Sequence, residues 1–343
     1  MSPDEISGID ARLFKPNLAL QDLKELFREN IKTVIIELSD YCNRKCSYCP
    51  VSLVHRDKAL NRMSQAHFEK IIDDLRAIEF DRNICLNLFN EPLGDPSIYG
   101  SVARLVEALP NSNIWFNSNG DYVSRRTLDR LADVGLKRLV VTLHIPKTGH
   151  YDDLQQLSRY SQFSARTRVP LRFEKYKPGK SITAAGRYRG IALRVKSSNF
   201  DTTGYDRAGS MEHLSILEPR QAPCDRPFQD FTIAWTGDVY PCCHFMAGLD
   251  THEDYVCGNV GAAESLYQIY GTQLLAGFRT DLFGYGPKTS PCDTCAEYDN
   301  RRCEKDRLAR EAKMLDLQRL DPDVEFANLP DGLALTDDST GGL

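Results

Sequence analysis

The sequence has no long apolar run, no excess of basic residues and no segment typical of an export signal. Its 343 residues carry a formal net charge of −5, whereas nucleic-acid-binding domains usually present a basic face. No hydrophobic run approaches the ~20 residues that a membrane-spanning helix requires. Residues 1–6 lack the basic and apolar regions of a signal peptide. These absences argue against nucleic-acid and membrane partners and favour a cytoplasmic protein.

Cysteine, in contrast, is plentiful, because the chain has 11 of these residues. Cytoplasmic thiols stay reduced, so these cysteines indicate metal ligands or reactive thiols. Cys42, Cys46 and Cys49 follow the spacing C-x3-C-x2-C. Three thiolates in one short loop can hold three irons of a 4Fe–4S cluster and leave the fourth iron without a protein ligand. A structural zinc loop is the alternative, although zinc sites favour paired C-x2-C halves and four ligands.

Hydrophobic periodicity predicts strands that alternate with helices over most of the chain. The predicted strands are residues 33–38, 84–89, 113–118, 137–144, 169–174 and 191–195. The predicted helices are residues 17–30, 63–78, 98–109, 124–134 and 151–160. This alternation implies right-handed βαβ units and a parallel sheet, with ligands at the C-terminal ends of the strands. The three-cysteine loop directly follows the first strand.

The pattern changes toward the C-terminus. Residues 228–235 and 239–245 predict a β-hairpin, because a Gly-Asp turn joins two aromatic-rich runs. A helix is predicted over 263–278, and a charged helix over 303–320. Residues 321–343 are acidic and contain Gly and Ser, which predicts a disordered tail.

The C-x3-C-x2-C loop resembles the cluster-binding loop of the radical S-adenosylmethionine (radical SAM) superfamily. In that family, the open iron chelates the amino and carboxylate groups of SAM, and one electron from the cluster cleaves SAM into methionine and a 5′-deoxyadenosyl radical. The resemblance implies a partial (β/α)6 barrel, which the six predicted strands match in number. It also implies an electron donor of the flavodoxin or ferredoxin type.

Two further segments resemble SAM-binding motifs of this family. Residues 89–94, Phe-Asn-Glu-Pro-Leu-Gly, resemble its Gly-Gly-Glu-Pro signature, with an asparagine in place of the second Gly. Residues 117–120, Asn-Ser-Asn-Gly, resemble its Thr-Asn-Gly segment, although such a sequence is also a common turn. The SAM contacts that the resemblance implies are Asn90, Glu91, Pro92, Asn117, Ser118 and Asn119. His144 ends the fourth predicted strand and is a candidate substrate contact, although a lone histidine there is more often structural.

The second group of cysteines resembles a SPASM/Twitch auxiliary-cluster domain. Its members are Cys224, Cys242, Cys243, Cys257, Cys292, Cys295 and Cys303. The resemblance implies one auxiliary 4Fe–4S cluster, with zinc as the alternative metal, and the implied ligands are Cys224, Cys242, Cys292 and Cys295. Residues 206–209, Asp-Arg-Ala-Gly, resemble the linker that joins the barrel to this domain. The predicted domains are an N-terminal helical extension (1–32), the barrel (33–212), a small auxiliary domain of hairpin and helix (213–303), and a C-terminal helix with its tail (304–343).

The resulting hypothesis is a radical SAM enzyme with two 4Fe–4S clusters, one catalytic and one auxiliary. The resemblance implies a small polar substrate, a sugar or aminocyclitol whose carbinol carbon is oxidised or epimerised. The alternative is a maturase of a ribosomally made peptide, but such enzymes often carry a peptide-binding domain of ~80 residues, and about 32 residues precede the first predicted strand. A non-enzymatic alternative is an iron–sulfur electron carrier or scaffold, which would supply four cysteines per cluster.

The remaining thiols bear on the choice between oxidation and epimerisation. Epimerisation requires a hydrogen donor to the substrate radical, usually a thiol, and the candidates are Cys243, Cys257 and Cys303. Cys243 is expected to point away from Cys242, because side chains alternate along a strand. Cys85 is predicted to be a small buried hydrophobe. Because no spare cysteine is predicted to be well placed, the sequence favours oxidation.

Overall fold

The computed structural model describes residues 1–54, 60–145, 149–297, 304–322, 324 and 326. The strands in this part of the chain are β1 (Thr33–Ile36), β2 (Asn83–Cys85), β3 (Asn113–Ser118), β4 (Arg138–Thr142), β5 (Arg172–Lys177), β6 (Ser181–Tyr188), β7 (Ile191–Ser198), β8 (Asp230–Ile233), β9 (Asp238–Tyr240) and β10 (Gly258–Asn259). The α-helices are α1 (Pro3–Ser7), α2 (Leu20–Asn30), α3 (Gln65–Ala77), α4 (Ile98–Ala108), α5 (Arg125–Asp133), α6 (Asp153–Thr167), α7 (Phe200–Thr203), α8 (Arg226–Gln229), α9 (Leu266–Tyr270), α10 (Gln273–Phe283) and α11 (Glu304–Leu320).

These strands form one sheet in the order β10-β9-β8-β1-β2-β3-β4-β7-β6-β5. Its centre is parallel: β1 pairs with β2 and with β8, and the parallel set continues through β3 and β4 to β7. Among the described residues the sheet ends at β10 and β5 and does not close on itself. The predicted fold class, a partial barrel with six parallel strands, is therefore confirmed.

One of the six predicted parallel strands is wrong. Residues 169–174 do not form the fifth parallel strand; β5 lies there instead, shifted to later residues, and pairs antiparallel with β6 at the sheet edge. Every residue of β5 is exposed, including Glu174 and Lys175, and charged residues are typical of an outer edge. The sequence analysis missed β6, which turns into β7 through Arg189 and Gly190. Both have positive φ, as a two-residue hairpin turn requires.

The sixth parallel strand is β8, which the sequence analysis places in the auxiliary hairpin. All four of its residues are buried, and near-continuous burial is typical of parallel strands. β8 also forms the predicted hairpin with β9, turning at Gly237 with a φ of 90°. The sheet is therefore continuous across the predicted domain boundary at residue 212.

Helix ends follow local sequence signals. Ser64 accepts a hydrogen bond from the backbone N–H of His67 and so caps α3. The predicted helix over 263–278 is two helices, because Gly271 ends α9 before α10 begins. A Cβ at Gly271 would lie 2.2 Å from the Leu23 side chain, so glycine permits α9 to pack closely on α2.

The prediction of a disordered tail from residue 321 is wrong at its start. Val324 and Phe326 are buried in the core, and the ring of Phe326 lies 5.1 Å from that of Phe14. Aromatic packing therefore holds this segment against the N-terminal part of the chain. The rest of the predicted tail, from residue 327, lies outside the described residues. Among the described helices, none has the length and apolar character needed to span a membrane.

Candidate active site and auxiliary cluster site

A cavity of about 470 Å³ runs along the inner face of the parallel strands. Cys42, Cys46 and Cys49 line it, together with side chains from the neighbouring strands and their following loops. Those that matter for binding and chemistry are Asn87, Asn90, Glu91, Asn117, Ser118, Asn119, His144, Lys196, Arg207, Arg226, Asp230 and Cys243. Its volume lies in the usual range of small-molecule sites, so we call it the catalytic cavity.

The cysteine loop is fastened to the loop that follows β3. Arg44 donates two hydrogen bonds to the carboxylate of Asp121, at 2.8 and 2.6 Å. Asn43 donates to the same carboxylate at 2.8 Å and accepts from Asn119 at 2.7 Å. A bidentate guanidinium–carboxylate pair fixes orientation as well as distance. The three cysteines therefore sit on a loop whose position is set by the neighbouring strand.

The chemistry of the three thiols fits an iron–sulfur cluster. Burial raises the pKa of the Cys42 thiol to about 12, so a thiolate there requires a nearby positive charge such as iron. In the described part of the chain, no three His, Cys, Asp or Glu side chains are grouped to hold one metal ion. A zinc ion would bond all of its thiolates at one metal, whereas each thiolate of a 4Fe–4S cluster bonds a different iron.

Glu91 joins the ends of two neighbouring strands. Its carboxylate accepts hydrogen bonds from the Ser118 hydroxyl at 2.8 Å and from the backbone N–H groups of Asn119 and Leu93, at 2.6 and 3.2 Å. Burial raises the pKa of Glu91 to about 7. An ammonium group in the cavity would favour the ionised form, so the site suits the predicted SAM contact.

The other predicted SAM contacts lie around Glu91. Asn90 keeps a buried Nδ2 that has no hydrogen-bond partner among the described residues, which makes it a donor for a ligand. The Asn117 side chain and backbone N–H both donate to Asn87, at 3.1 and 2.7 Å. Pro92 begins a short 3₁₀ turn behind the carboxylate and is not part of the cavity wall.

His144 follows β4 and lies in the cavity wall, where a substrate contact is predicted. Its Nδ1 is 2.8 Å from the Tyr48 hydroxyl, and its ring stacks with Tyr48 and Phe200. Burial lowers the pKa of His144 to about 3, so the ring is neutral at physiological pH. A Tyr48 hydroxyl that donates to Nδ1 leaves the Nε2–H group as a donor for a ligand.

The four predicted auxiliary ligands line a second, smaller cavity, which we call the auxiliary cavity. The chain brings Cys224, Cys242 and the pair Cys292 and Cys295 together from three separate segments. Apolar side chains form part of the wall, namely Pro227, Pro241, Phe245, Phe278 and Leu282, and the rest comes from Arg220, Arg226, His244 and Glu297. Burial raises the pKa of all four thiols, so here too thiolates require a metal centre.

The spare thiols are not placed as the sequence analysis expects. Cys243 lines the catalytic cavity while Cys242 lines the auxiliary cavity, so the two side chains do point apart, but the expectation that no spare cysteine is well placed is wrong. Cys85 also borders the catalytic cavity. Cys257 is buried in the hydrophobic core, away from both cavities. Cys303 lies outside the described residues.

A chain of hydrogen bonds links the two cavities. Nη1 of Arg207 is 3.2 Å from Nδ1 of His244, whose Nε2 is 3.3 Å from the carboxylate of Glu297. Arg226 donates to Glu297 at 3.1 Å and to Asp230 at 2.6 Å. Arg207, Arg226 and Asp230 line the catalytic cavity, whereas His244 and Glu297 line the auxiliary cavity. The wall between the cavities is therefore polar and connected.

This chain of hydrogen bonds was not predicted from the sequence, although the sequence contains a signal for it. Arg226, His244 and Glu297 each lie two residues after a predicted auxiliary ligand. A charged or ionisable residue therefore occurs at the same spacing after three different cysteines. This pattern is visible only when the three cysteine segments are compared with one another. Asp230 has no comparable signal, because its place depends on the unpredicted pairing of β8 with β1.

Comparison with known proteins agrees with this geometry. Residues 36–163 match the family model of the radical SAM superfamily. These residues therefore form a radical SAM domain. Residues 224–296 match the model of an iron–sulfur cluster-binding domain, SPASM, a span that contains all four predicted auxiliary ligands and ends before Cys303. This radical SAM enzyme therefore uses SAM and a 4Fe–4S cluster, with an auxiliary iron–sulfur cluster in its C-terminal part.

Two similar proteins, one compared by sequence and one by structure, match most of this chain. The S-adenosyl-L-methionine-dependent 2-deoxy-scyllo-inosamine dehydrogenase of Niallia circulans is 22% identical over 261 residues, which span 76% of this chain and 90% of the relative. The crystal structure of BtrN in complex with AdoMet and 2-DOIA is 21% identical, with a TM-score of 0.55, and the match covers 78% of this chain and 93% of that chain. The structural similarity establishes the fold, and the substrate must be inferred from the residues of the cavity.

Proposed function

We propose that this radical SAM enzyme oxidises a carbinol carbon of a sugar or aminocyclitol to a ketone. The observation that supports the proposal is the position of the catalytic cavity between the two cysteine sites. Cys42, Cys46 and Cys49 line it, and the adjacent Cys242 and Cys243 line opposite sides of its boundary with the auxiliary cavity. A substrate bound there lies between a site for hydrogen abstraction and a site for electron transfer.

The relative from Niallia circulans supports oxidation as the reaction class. Its name describes a dehydrogenase of 2-deoxy-scyllo-inosamine, an aminocyclitol, and its match extends over most of both chains. We further propose that a protein of the flavodoxin or ferredoxin type supplies the electron that starts the reaction.

The proposed oxidation removes one hydrogen atom, one proton and one electron from the carbinol. When bound, SAM and the two clusters supply the hydrogen acceptor and the one-electron acceptor. The chain itself must accept the hydroxyl proton, and we assign this role to Asp230. Burial raises the pKa of Asp230, and Arg226 donates a hydrogen bond to its carboxylate at 2.6 Å. A carboxylate with a raised pKa is a stronger base, and its pair with Arg226 fixes its position.

The test is anaerobic turnover of the reconstituted enzyme with SAM, a reductant and a panel of sugars and aminocyclitols that includes 2-deoxy-scyllo-inosamine. We expect one ketone for each 5′-deoxyadenosine. Asp230→Asn should slow ketone formation by about 10²–10⁴-fold, the usual contribution of a general base. Asp73→Asn, on the exposed face of α3, is the matched control and should leave the rate unchanged. An epimerised alcohol in place of a ketone would contradict the proposal.

Epimerisation is the second candidate function, and the position of Cys243 favours it. A thiol in the wall of the substrate cavity could return a hydrogen atom to the opposite face of the substrate radical. Turnover in deuterated water separates the two reactions, because a thiol exchanges its hydrogen with solvent before donating it. Oxidation leaves no hydrogen on the reacting carbon, so it predicts no deuterium there. Deuterium that appears in the wild-type product and disappears in Cys243→Ala, but not in Cys257→Ala, would establish epimerisation.

A further inference from the structure

The charged side chains of the catalytic cavity are unevenly paired. Ion pairs neutralise two of the four Lys and Arg side chains that line its described wall. Arg44 pairs with Asp121 at 2.6 Å, and Arg226 pairs with Asp230 and Glu297 at 2.6 and 3.1 Å. The other two cations have no carboxylate partner within the described residues.

Lys196, near the end of β7, is the first of these unpaired cations. Burial lowers the pKa of Lys196, and the positive charges of Arg194 and Arg207 lower it further. The thiol of Cys85 acts in the opposite direction, but burial raises the pKa of that thiol to about 12. Cys85 is therefore uncharged at neutral pH and cannot compensate the ammonium group. A desolvated charge without a counter-charge is costly, so the site favours an anion.

Arg207, in the segment after β7, is the second unpaired cation of the cavity wall. Its guanidinium lies over the rings of Phe89 and Tyr205, 5.9 and 5.8 Å from their centres. It also contacts the His244 imidazole, which carries no negative charge in either protonation state. Its Nε is buried and has no hydrogen-bond partner among the described residues. The surroundings therefore hold the guanidinium in place and leave both its charge and a donor group available.

SAM does not supply the missing negative charge. The family resemblance places both the carboxylate and the amino group of SAM on the open iron, and the remaining sulfonium group is positive. The predicted SAM contacts also follow β2 and β3, whereas Lys196 belongs to β7 and Arg207 to the segment beyond it. The carboxylate of bound SAM is therefore held by iron, which leaves these two cations for another ligand.

We propose that the substrate carries an anionic group, a carboxylate or a phosphate monoester, which Lys196 and Arg207 bind. The inference rests on the proposed function for placing the substrate in this cavity, and it narrows the substrate class to hydroxylated acids or phosphate esters. An ammonium group, such as that of an aminocyclitol, would be repelled by the same two cations. A guanidinium beside an ammonium group is well suited to a carboxylate or phosphate.

The test measures binding to the anaerobic holoenzyme with SAM present and no reductant, so that no turnover occurs. Calorimetry would compare four probes: D-glucuronate, myo-inositol 1-phosphate, neutral myo-inositol and the cationic 2-deoxy-scyllo-inosamine. We expect at least one anionic probe to bind about tenfold or more tightly than both others, and the tighter anion identifies carboxylate or phosphate. Lys196→Gln and Arg207→Gln should each remove about tenfold of that preference. Lys196→Arg should retain most of it, and Lys175→Gln, on the exposed edge strand, is the matched control.

Two results would overturn the inference. One is neutral or cationic probes that bind as tightly as both anions. The other is a loss of SAM affinity in Lys196→Gln and Arg207→Gln equal to the loss of anion affinity, since the two cations would then serve SAM. Ketone formation is measured separately. Anion binding that is selective and depends on Lys196 and Arg207, in an enzyme that forms no ketone, would support the anion site and contradict only the proposed oxidation.

Discussion

The two cysteine sites of this enzyme are built in opposite ways. The predicted ligands of the catalytic cluster lie within residues 42–49 and open on a large cavity lined by polar and charged side chains. The auxiliary cysteines come from segments spread over residues 224–295 and line a small cavity with mostly apolar walls. A loop that supplies only three thiolates leaves one iron without a protein ligand and therefore accessible to SAM. Ligands gathered from distant segments enclose their cluster, and that arrangement suits electron transfer without substrate access.

The largest expected effect concerns the site of Cys42, Cys46 and Cys49, which we call the open site. Replacing Cys42, Cys46 and Cys49 together with Ala should abolish SAM cleavage, because no other thiols in the loop can hold the catalytic cluster. Chemical analysis should find about four irons per chain instead of about eight. A triple variant that still forms 5′-deoxyadenosine would show that the catalytic cluster is bound elsewhere.

The next effect concerns the auxiliary site of Cys224, Cys242, Cys292 and Cys295, which we call the closed site. Cys242→Ala should remove the auxiliary cluster, leave about four irons and still permit SAM cleavage. Ketone formation should fall far more than 5′-deoxyadenosine formation, because the substrate radical loses its electron acceptor. The ratio of the two products is the measurement. Equal losses of both products would mean that the auxiliary cluster only supports the fold.

A third effect concerns the support of the auxiliary site. Arg310 is almost fully buried in α11 and donates to Asp225, the neighbour of Cys224, at 2.8 Å. Arg310→Ala leaves that buried carboxylate without this partner, which should lower the local opening free energy of α11 by about 3–5 kcal/mol. Hydrogen exchange of the holoenzyme measures it. Arg307→Ala, an exposed position on the same helix, should cost less than about 1 kcal/mol, and equal effects would contradict the prediction.

The smallest effect concerns Glu91 in the open site. Glu91→Gln should weaken SAM binding by about 1.5–3 kcal/mol, the scale of one hydrogen bond to a charged group. Because the pKa of Glu91 is raised to about 7, the wild type should bind SAM more tightly as the pH rises through 7, when the carboxylate ionises. The variant should lose that dependence. Glu69→Gln, on the surface of α3, is the control; unchanged SAM affinity in Glu91→Gln would assign Glu91 a purely structural role.

The same contrast explains what could be predicted from the sequence. The catalytic loop is contiguous, so its spacing alone indicates a cluster, and the segments around Glu91 and Ser118 follow strands with clear periodicity. The place of β8 beside β1 could not be predicted, because one apolar run fits a hairpin and a parallel strand equally well. Asp230, Cys243 and Arg207 enter the catalytic cavity only through such long-range packing. The charged edge strand β5 was predictable in existence and not in direction, because the turn at Gly179, which joins β5 to β6, decides its pairing.

We infer that SAM can reach one of the two clusters and cannot reach the other. Electron paramagnetic resonance of the reduced enzyme tests it most directly, by comparing spectra before and after SAM is added. We expect SAM to change the signal of one cluster only, and the triple variant of Cys42, Cys46 and Cys49 to keep the other signal, which does not respond to SAM. A remaining signal that shifts with SAM in that variant would contradict the claim.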